Sequence, residues 1–406
     1  MAGHALLVDA PALPVYDFGE GHPFAPFRLV PLFDLLDRQE LVRSAERVVP
    51  PPATEAELFE VHDPEYVRLL ARLADPDDHE ALRIAGRFGL GPGDNPIRPG
   101  QHAAAAAAAG GTIGCVRAVL RGEAAAAFNP AGGLHHAMPG RASGFCLYND
   151  LALGIAAARR EGLRRIAYVD FDVHHGDGVE ACFADDPDVL TISFHETPER
   201  RWPGTGRLSD RGRGTGLGSV IDLPFASGTG DASWQAAVEA VLRPALARFG
   251  PELLITQHGC DTHHEDPLAD LSLTTASFRF AANLARELSE QHCAGRWVAT
   301  GGGGYRPFTV LPRAFALVWA AVSGRDLPRR LDAGWREHWS MLLAEPDGAA
   351  APASPPWHGA RPASAPGVGE DLPREFIDPP VDDPRTAAAA RDNARSLASL
   401  LALHDL

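Results

Sequence analysis

Four short apolar runs separated by long helical patterns leave this chain few architectures to adopt. Residues 166–169, 189–194, 253–257 and 297–300 are almost continuously apolar, as strands buried on both faces are. Around them lie helical patterns at 29–36, 102–120, 151–161, 234–249 and 273–291. The alanine run 103–109 is low in complexity but favours helix, so it reads as structure. Strands alternating with helices predict an α/β protein: three layers, with a central mostly parallel sheet and helices on both faces.

One large domain accounts for residues 1–344. Pro, Ala, Gly and Ser dominate residues 345–385, a composition that buries too little apolar surface to offset its ordering entropy and so reads as a linker or tail. Residues 386–406 return to a helical pattern that is expected to dock on the body. No internal repeat is visible. The formal charge of −16 disfavours nucleic acid and anionic membrane as partners and suits lysine-bearing substrates. Cys115, Cys146, Cys182, Cys260 and Cys293 are an odd, widely spaced set, which predicts no disulfide framework and a reducing cytoplasmic setting. Asp9 and Asp17 interrupt the N-terminal region where a signal peptide would be basic and then apolar, and no apolar run is expected to span a bilayer.

The strongest chemical signal is Ile166-Ala-Tyr-Val-Asp170-Phe-Asp172-Val-His174-His175-Gly-Asp177-Gly178. In extended chain Asp170, Asp172 and His174 share one face, and ligands of parallel sheets gather at the carboxyl ends of strands. One aspartate there could be a helix cap; Asp and His two apart, flanked by further aspartates, point to metal ligation. Asp172 and His174 are two ligands, and a catalytic site wants a third and an open position. Asp261, closing Ile255-Thr-Gln-His-Gly-Cys-Asp, is the best candidate, with His258, His263 and His264 as rivals that spacing does not eliminate. Two carboxylates and one imidazole suit Zn²⁺, and Fe²⁺ fits too.

Two other segments join it. His135 and His136 sit in a Gly/Pro-bounded loop, Gly132-Gly133-Leu-His-His-Ala-Met-Pro139, suited to proton transfer, with Asp170 and Asp177 free to orient them. Thr300-Gly-Gly-Gly-Gly304-Tyr305 lets backbone approach a site closely; it lacks the Lys-Ser/Thr and the glycine spacing of a phosphate loop, and Tyr305 is placed to stabilise an oxyanion.

Together with Tyr16-Asp-Phe-Gly-Glu-Gly-His22-Pro23, Val61-His-Asp-Pro-Glu-Tyr66, Gly93-Asp-Asn-Pro96, Leu190-Thr-Ile-Ser-Phe-His-Glu196, Pro203-Gly-Thr-Gly206 and Pro312-Arg-Ala314, these motifs resemble the histone deacetylase superfamily. The resemblance is strongest to bacterial acetoin-utilisation lysine deacetylases and spans most of the first 340 or so residues. It implies the arginase/deacetylase-like fold and hydrolysis of the N6-acetyl-lysine amide in proteins, such as metabolic enzymes of the acetyl-CoA synthetase kind. It implies metal ligands Asp172, His174 and Asp261, a histidine pair His135 and His136 backed by Asp170 and Asp177, and catalytic Tyr305. Asp94 would hold the substrate backbone, Phe145 and Trp202 would wall the acyl-lysine channel, Gly144 would offer its carbonyl, and Arg28 would line an acetate exit. A structural K⁺ is implied beside the zinc, at Asp170, Asp172, His174, Ser193 and Phe194. The departures are Cys260, where the family usually has alanine, and Trp202, where close relatives carry phenylalanine. The competing readings are an acetylpolyamine or other small-molecule deacetylase, a two-manganese ureohydrolase, and a non-catalytic acyl-lysine reader.

Overall fold

The computed structural model describes residues 4–9, 16–19, 21–344 and 372–406. Eight strands form one sheet: β1 (Ala5–Val8), β2 (Arg47–Val48), β3 (Ala126–Asn129), β4 (Ile166–Asp170), β5 (Val189–Glu196), β6 (Val220–Phe225), β7 (Leu253–Gln257) and β8 (Trp297–Thr300). Their order is β2-β1-β3-β8-β7-β4-β5-β6, and every pairing is parallel. The expected mostly parallel sheet is thus parallel throughout.

The helices are α1 (Val30–Arg38), α2 (Glu55–Leu58), α3 (Pro64–Arg72), α4 (His79–Ile84), α5 (Gln101–Leu120), α6 (Asp150–Arg160), α7 (Asp177–Phe183), α8 (Asp231–Phe249), α9 (Thr275–His292), α10 (Leu311–Ser323), α11 (Ala333–Ala344) and α12 (Thr386–His404). Alternate residues of β3 show how they cover the sheet. Phe128 meets Phe315 of α10 edge-on at 5.8 Å, while Asn129 donates to the Ala108 carbonyl of α5 at 3.0 Å. Successive strand residues point to opposite faces, so α5 and α10 lie on opposite sides of one sheet.

Helix α5 corrects one expectation. An 18-residue window of this 20-residue helix has a mean hydropathy of 1.5, so the helix is long and apolar enough by composition to cross a membrane. It packs instead against α6 and β3, and 72% of its most apolar window is buried inside the fold. Its small side chains let it lie close to the sheet.

Residues 345–371 of the compositional linker lie outside the described residues, and so does that part of the expectation. Residues 372–385 are tied down by particular polar contacts. Asp378 pairs with the buried guanidinium of Arg313, approaches His263 Nε2 at 2.9 Å, and accepts the hydroxyl of Thr275 at 2.9 Å. Leu372 and Phe376 are buried alongside. Helix α12 then lies on β6 and α8, where Asn393 accepts the N–H of Ala226 at 3.0 Å and donates to the Thr229 hydroxyl at 2.8 Å. Composition conceals such anchors, because one aspartate facing a buried arginine outweighs many solvent-compatible prolines.

Candidate active site

Four adjacent strands, in the order β3, β8, β7 and β4, each run into one of the chemical segments at their carboxyl ends. Chain order is broken here: β4 follows β3 in sequence but is separated from it in the sheet by β8 and β7, and the crevice such a reversal opens is where α/β sheets bind ligands.

The loop after β3 carries the histidine pair and is held by buried acceptors and donors. Asp150 takes the N–H groups of Gly133 at 3.1 Å and Leu134 at 2.7 Å. The Asn149 amide donates to the carbonyls of His135 and Ala137, both at 3.1 Å. His62 Nε2 accepts the Asn149 N–H at 2.9 Å while its Nδ1 lies 3.1 Å from the Met138 carbonyl. The neutral ring therefore carries its proton on Nδ1.

Beyond β4 the expectation of one extended face fails. The strand stops at Asp170, and the chain bends. The Asp170 carboxylate accepts the N–H of Asp172 at 3.0 Å, and Asp172 does the same for His174 at 3.0 Å. Aspartates that capture the N–H two residues on replace the strand ladder with turns. Those turns swing His174 back, so its Nδ1 stands 3.1 Å from both Asp172 Oδ1 and Asp261 Oδ2. The ligand atoms of Asp172, His174 and Asp261 lie within 4.8 Å of one another.

The rival histidines point elsewhere. His258 Nε2 faces the Thr256 hydroxyl at 2.8 Å, and His264 Nδ1 lies near the Leu273 carbonyl at 3.2 Å. His263, His264 and Glu265 form a cluster of their own, with His263 committed to Asp378.

The electrostatics of the Asp172–His174–Asp261 trio call for a cation. Burial and the Asp172 charge raise the Asp261 carboxyl to about 6. Burial works against a charged His174, yet its two carboxylate contacts outweigh it and hold the imidazole at about 10. In the protein alone, a proton on His174 therefore occupies the place of positive charge between two buried carboxylates. One nitrogen and two oxygen donors match a Zn²⁺ or Fe²⁺ ligand set with a position left open. Gln257 and the Gly303 N–H steady Asp172 Oδ2 at 2.7 and 2.9 Å, and the Val173 N–H holds Asp261 Oδ1 at 3.0 Å.

Each tandem histidine presents Nδ1 to its own aspartate: His135 to Asp170 and His136 to Asp177, both at 2.6 Å. The two rings are 3.9 Å apart. Burial opposes charge on His135, but Asp170 and Asp172 prevail and raise it to about 9. Burial and then the charge of His135 lower His136 to about 4. One imidazole is held charged and its neighbour neutral.

The glycine run after β8 passes along the trio. A Cβ on Gly303 would overlap Asp261 Oδ2 and lie 2.9 Å from Asp172 Oδ2, so only glycine fits. Buried Arg28 donates to the carbonyls of Gly302 at 2.9 Å and Gly304 at 3.2 Å, bracing the loop from behind. Asp266 accepts the Tyr305 N–H at 2.8 Å. Cys260 is buried against Gly304.

At the mouth, Tyr305 meets Phe145 edge-on at 6.1 Å, and Trp202 meets His136 edge-on at 4.6 Å. A Cβ on Gly144 would come within 2.5 Å of both His136 and Trp202. Exposed Asp94, Gly144 and Trp202 line a groove of ≈780 Å³ that also reaches Asp177. A slightly larger groove, ≈840 Å³, lies beside α12 and contains none of these residues. Ser193 and Phe194 lie on β5, where Ser193 pairs in register with Asp170.

The sequence reading passed over His62, Asp150, Gln257 and Asp266 as site residues. Each is a buried polar group whose partner is remote in sequence or on the backbone. Only burial of an ionisable or amide side chain marks them, and sequence does not display burial.

Residues 22–322 match the histone deacetylase domain, and the chain belongs to that family. It is a hydrolase of the deacetylase class. The acetoin utilization protein AcuC of Bacillus subtilis (strain 168) is 37% identical over 345 residues, covering 82% of this chain and 86% of the relative. AcuC of Staphylococcus aureus (strain MRSA252) is 32% identical over 335 residues, covering 81% and 85%. Among solved structures, a histone deacetylase homologue from Aquifex aeolicus superposes with a TM-score of 0.80 at 29% identity, covering 96% of this chain and 99% of that one. A homologue in complex with SAHA superposes at 0.82, also 29% identical, covering 98% and 99%.

Proposed function

We propose that this deacetylase is zinc-dependent and hydrolyses the N6-acetyl-lysine amide in proteins, releasing acetate and reversing the acetylation of metabolic enzymes such as acetyl-CoA synthetase. The observation that carries the reading is geometric: His135 and His136 set Nδ1 2.6 Å from Asp170 and Asp177 respectively, beside the Asp172–His174–Asp261 trio. Asp172, His174 and Asp261 would hold the zinc, which when bound would supply Lewis acidity for the amide carbonyl and a more acidic water.

The residues of the chain do the rest. His136, its Nδ1–H directed at Asp177, offers the Nε2 lone pair to the water proton. The same ring then returns that proton to the departing lysine amine. His135, charged against Asp170, favours the negative charge that grows on the carbonyl oxygen. The Tyr305 hydroxyl donates to that oxyanion. Phe145 and Trp202 enclose the methylenes of lysine, and Asp94 at the rim holds the peptide backbone. Arg28 borders the route for acetate behind the site. Potassium at Asp170, Asp172, His174, Ser193 and Phe194 would fix the β4–β5 ends.

A groove open on the surface beside Asp94 and Trp202 favours a chain-like substrate over a small free amine. The test compares acetyl-lysine peptides, longer acyl peptides and acetylpolyamines on purified enzyme, first stripped by chelator and then reconstituted with Zn²⁺ or Fe²⁺. Peptide turnover restored by Zn²⁺ and blocked by a hydroxamate supports the reading. Preference for acetylpolyamine, or turnover restored by Fe²⁺ alone, replaces the substrate or the metal.

A further inference from the structure

We propose that the protein carries a second divalent-metal site, formed by His175, Glu180 and Asp222, next to the catalytic trio but separate from it. His175 follows His174 in the chain, yet its ring turns the other way. Nδ1 lies 2.9 Å from the Thr205 hydroxyl, and Nε2 lies 2.8 Å from Glu180 Oε2 and 3.3 Å from Asp222 Oδ1. The three ligand atoms fall within 4.8 Å of one another.

Two features set this cluster apart from an ordinary ion pair. Asp222, on β6 and only 1% exposed, has one carboxylate oxygen with no hydrogen-bond partner. A buried oxygen left without a donor is costly, and a cation removes that cost. The buried Thr191 hydroxyl also lacks a partner. Ser193 is paired in register with Asp222, and Thr191 lies two residues before it, so Thr191 and Asp222 share a face of the sheet.

The donor chemistry completes the case. One imidazole and two carboxylates repeat the set of Asp172, His174 and Asp261, so an ion suited to one site suits the other. His175 Nε2 stands at hydrogen-bond distance from both carboxylates, so its proton occupies the place a cation would take. With an ion bound, Nδ1–H would donate to the Thr205 hydroxyl and Nε2 would ligate, the outer-shell arrangement of metal-bound histidines. Entry is open: the Glu180 side chain is 23% exposed, and it lines the ≈780 Å³ mouth groove together with His175 and Asp177. The ion ties the first turn of α7 to β6. Because Asp177 begins α7 and holds His136, the site is a structural clamp behind that pair.

Metal content measured by mass spectrometry after equilibrium dialysis against Zn²⁺ tests this, together with the melting temperature on adding Zn²⁺. The wild type is expected to hold a second equivalent and to show a second upward step in melting temperature. Glu180→Gln and Asp222→Asn are expected each to lose one equivalent and that step, while Asp261→Asn loses the other equivalent and keeps the step. Glu180 is partly exposed, so its variant tests the site even if Asp222→Asn fails to fold. A wild type that saturates at one equivalent, or a Glu180→Gln protein that still holds two, overturns the proposal. A single equivalent that disappears in Asp261→Asn would do so while leaving the catalytic reading intact.

Discussion

The hydroxyl of Tyr16 donates to the carbonyl oxygen of Phe145 at 2.8 Å and accepts the N–H of Leu147 at 3.0 Å. Phe145 has φ of +66°, a backbone conformation that costs a residue with a side chain about 1–3 kcal/mol and persists only where its surroundings enforce it. The wholly buried phenol supplies that constraint and so aims one wall of the channel. Tyr16→Phe is expected to lower stability by about 1–3 kcal/mol, the cost of leaving buried backbone groups unpaired. It is also expected to raise KM more than it lowers kcat, since the proton-transfer groups are untouched. Denaturant melts and steady-state kinetics check both; an unchanged KM refutes the positioning role.

Removing the Tyr305 hydroxyl tests the oxyanion assignment. Tyr305→Phe keeps the ring against Phe145 and the N–H bond to Asp266, so the fold should hold. The expected fall in kcat is about 10²–10³, as for loss of one oxyanion donor, with little change in metal content. Full turnover in that variant would falsify the role.

Gly303→Ala puts a methyl group into the space of the Asp261 and Asp172 carboxylates without altering any charge. Metal affinity should drop by about 100-fold or more, since changes beside the ligands already cost about 10–100-fold. Competition against a zinc chelator reads the affinity directly. Wild-type affinity there would mean that the glycine loop does not border the metal.

His62 predicts how stability responds to acid. Burial lowers its imidazole to about 4, and both ring nitrogens are engaged with backbone groups. The unfolded chain takes up the proton near 6.5, whereas the folded chain resists it until about 4. Its contribution is therefore complete above 6.5 and is lost as pH falls from 6.5 towards 4, a total of about 3 kcal/mol. Unfolding free energies of wild type and His62→Gln across that range should differ in slope by about one proton; parallel slopes would remove His62 as a cause.

Much of the fold is visible in residue patterns because β4, β5, β7 and β8 are buried on both faces, and unbroken apolar runs announce that. Strand β3 is not visible. Its sequence, Ala-Ala-Phe-Asn, has little β preference and follows an alanine-rich helix, and it becomes a strand because β1 and β8 pair with it on either side. Yet β3 is the strand that delivers the histidine pair.

By itself the sequence determined the class of fold and the chemical inventory: paired histidines, a surplus of aspartates, a glycine run and a terminal tyrosine. Residue type is a local property, and the burial pattern of a strand is written in its own side chains. Tertiary structure alone decided which carboxylate faces which imidazole. Asp170 and Asp172 stand two residues apart, yet one supports His135 and the other joins His174 and Asp261. Turns made by their own carboxylates set that division, and strands remote in sequence brought the partners within reach.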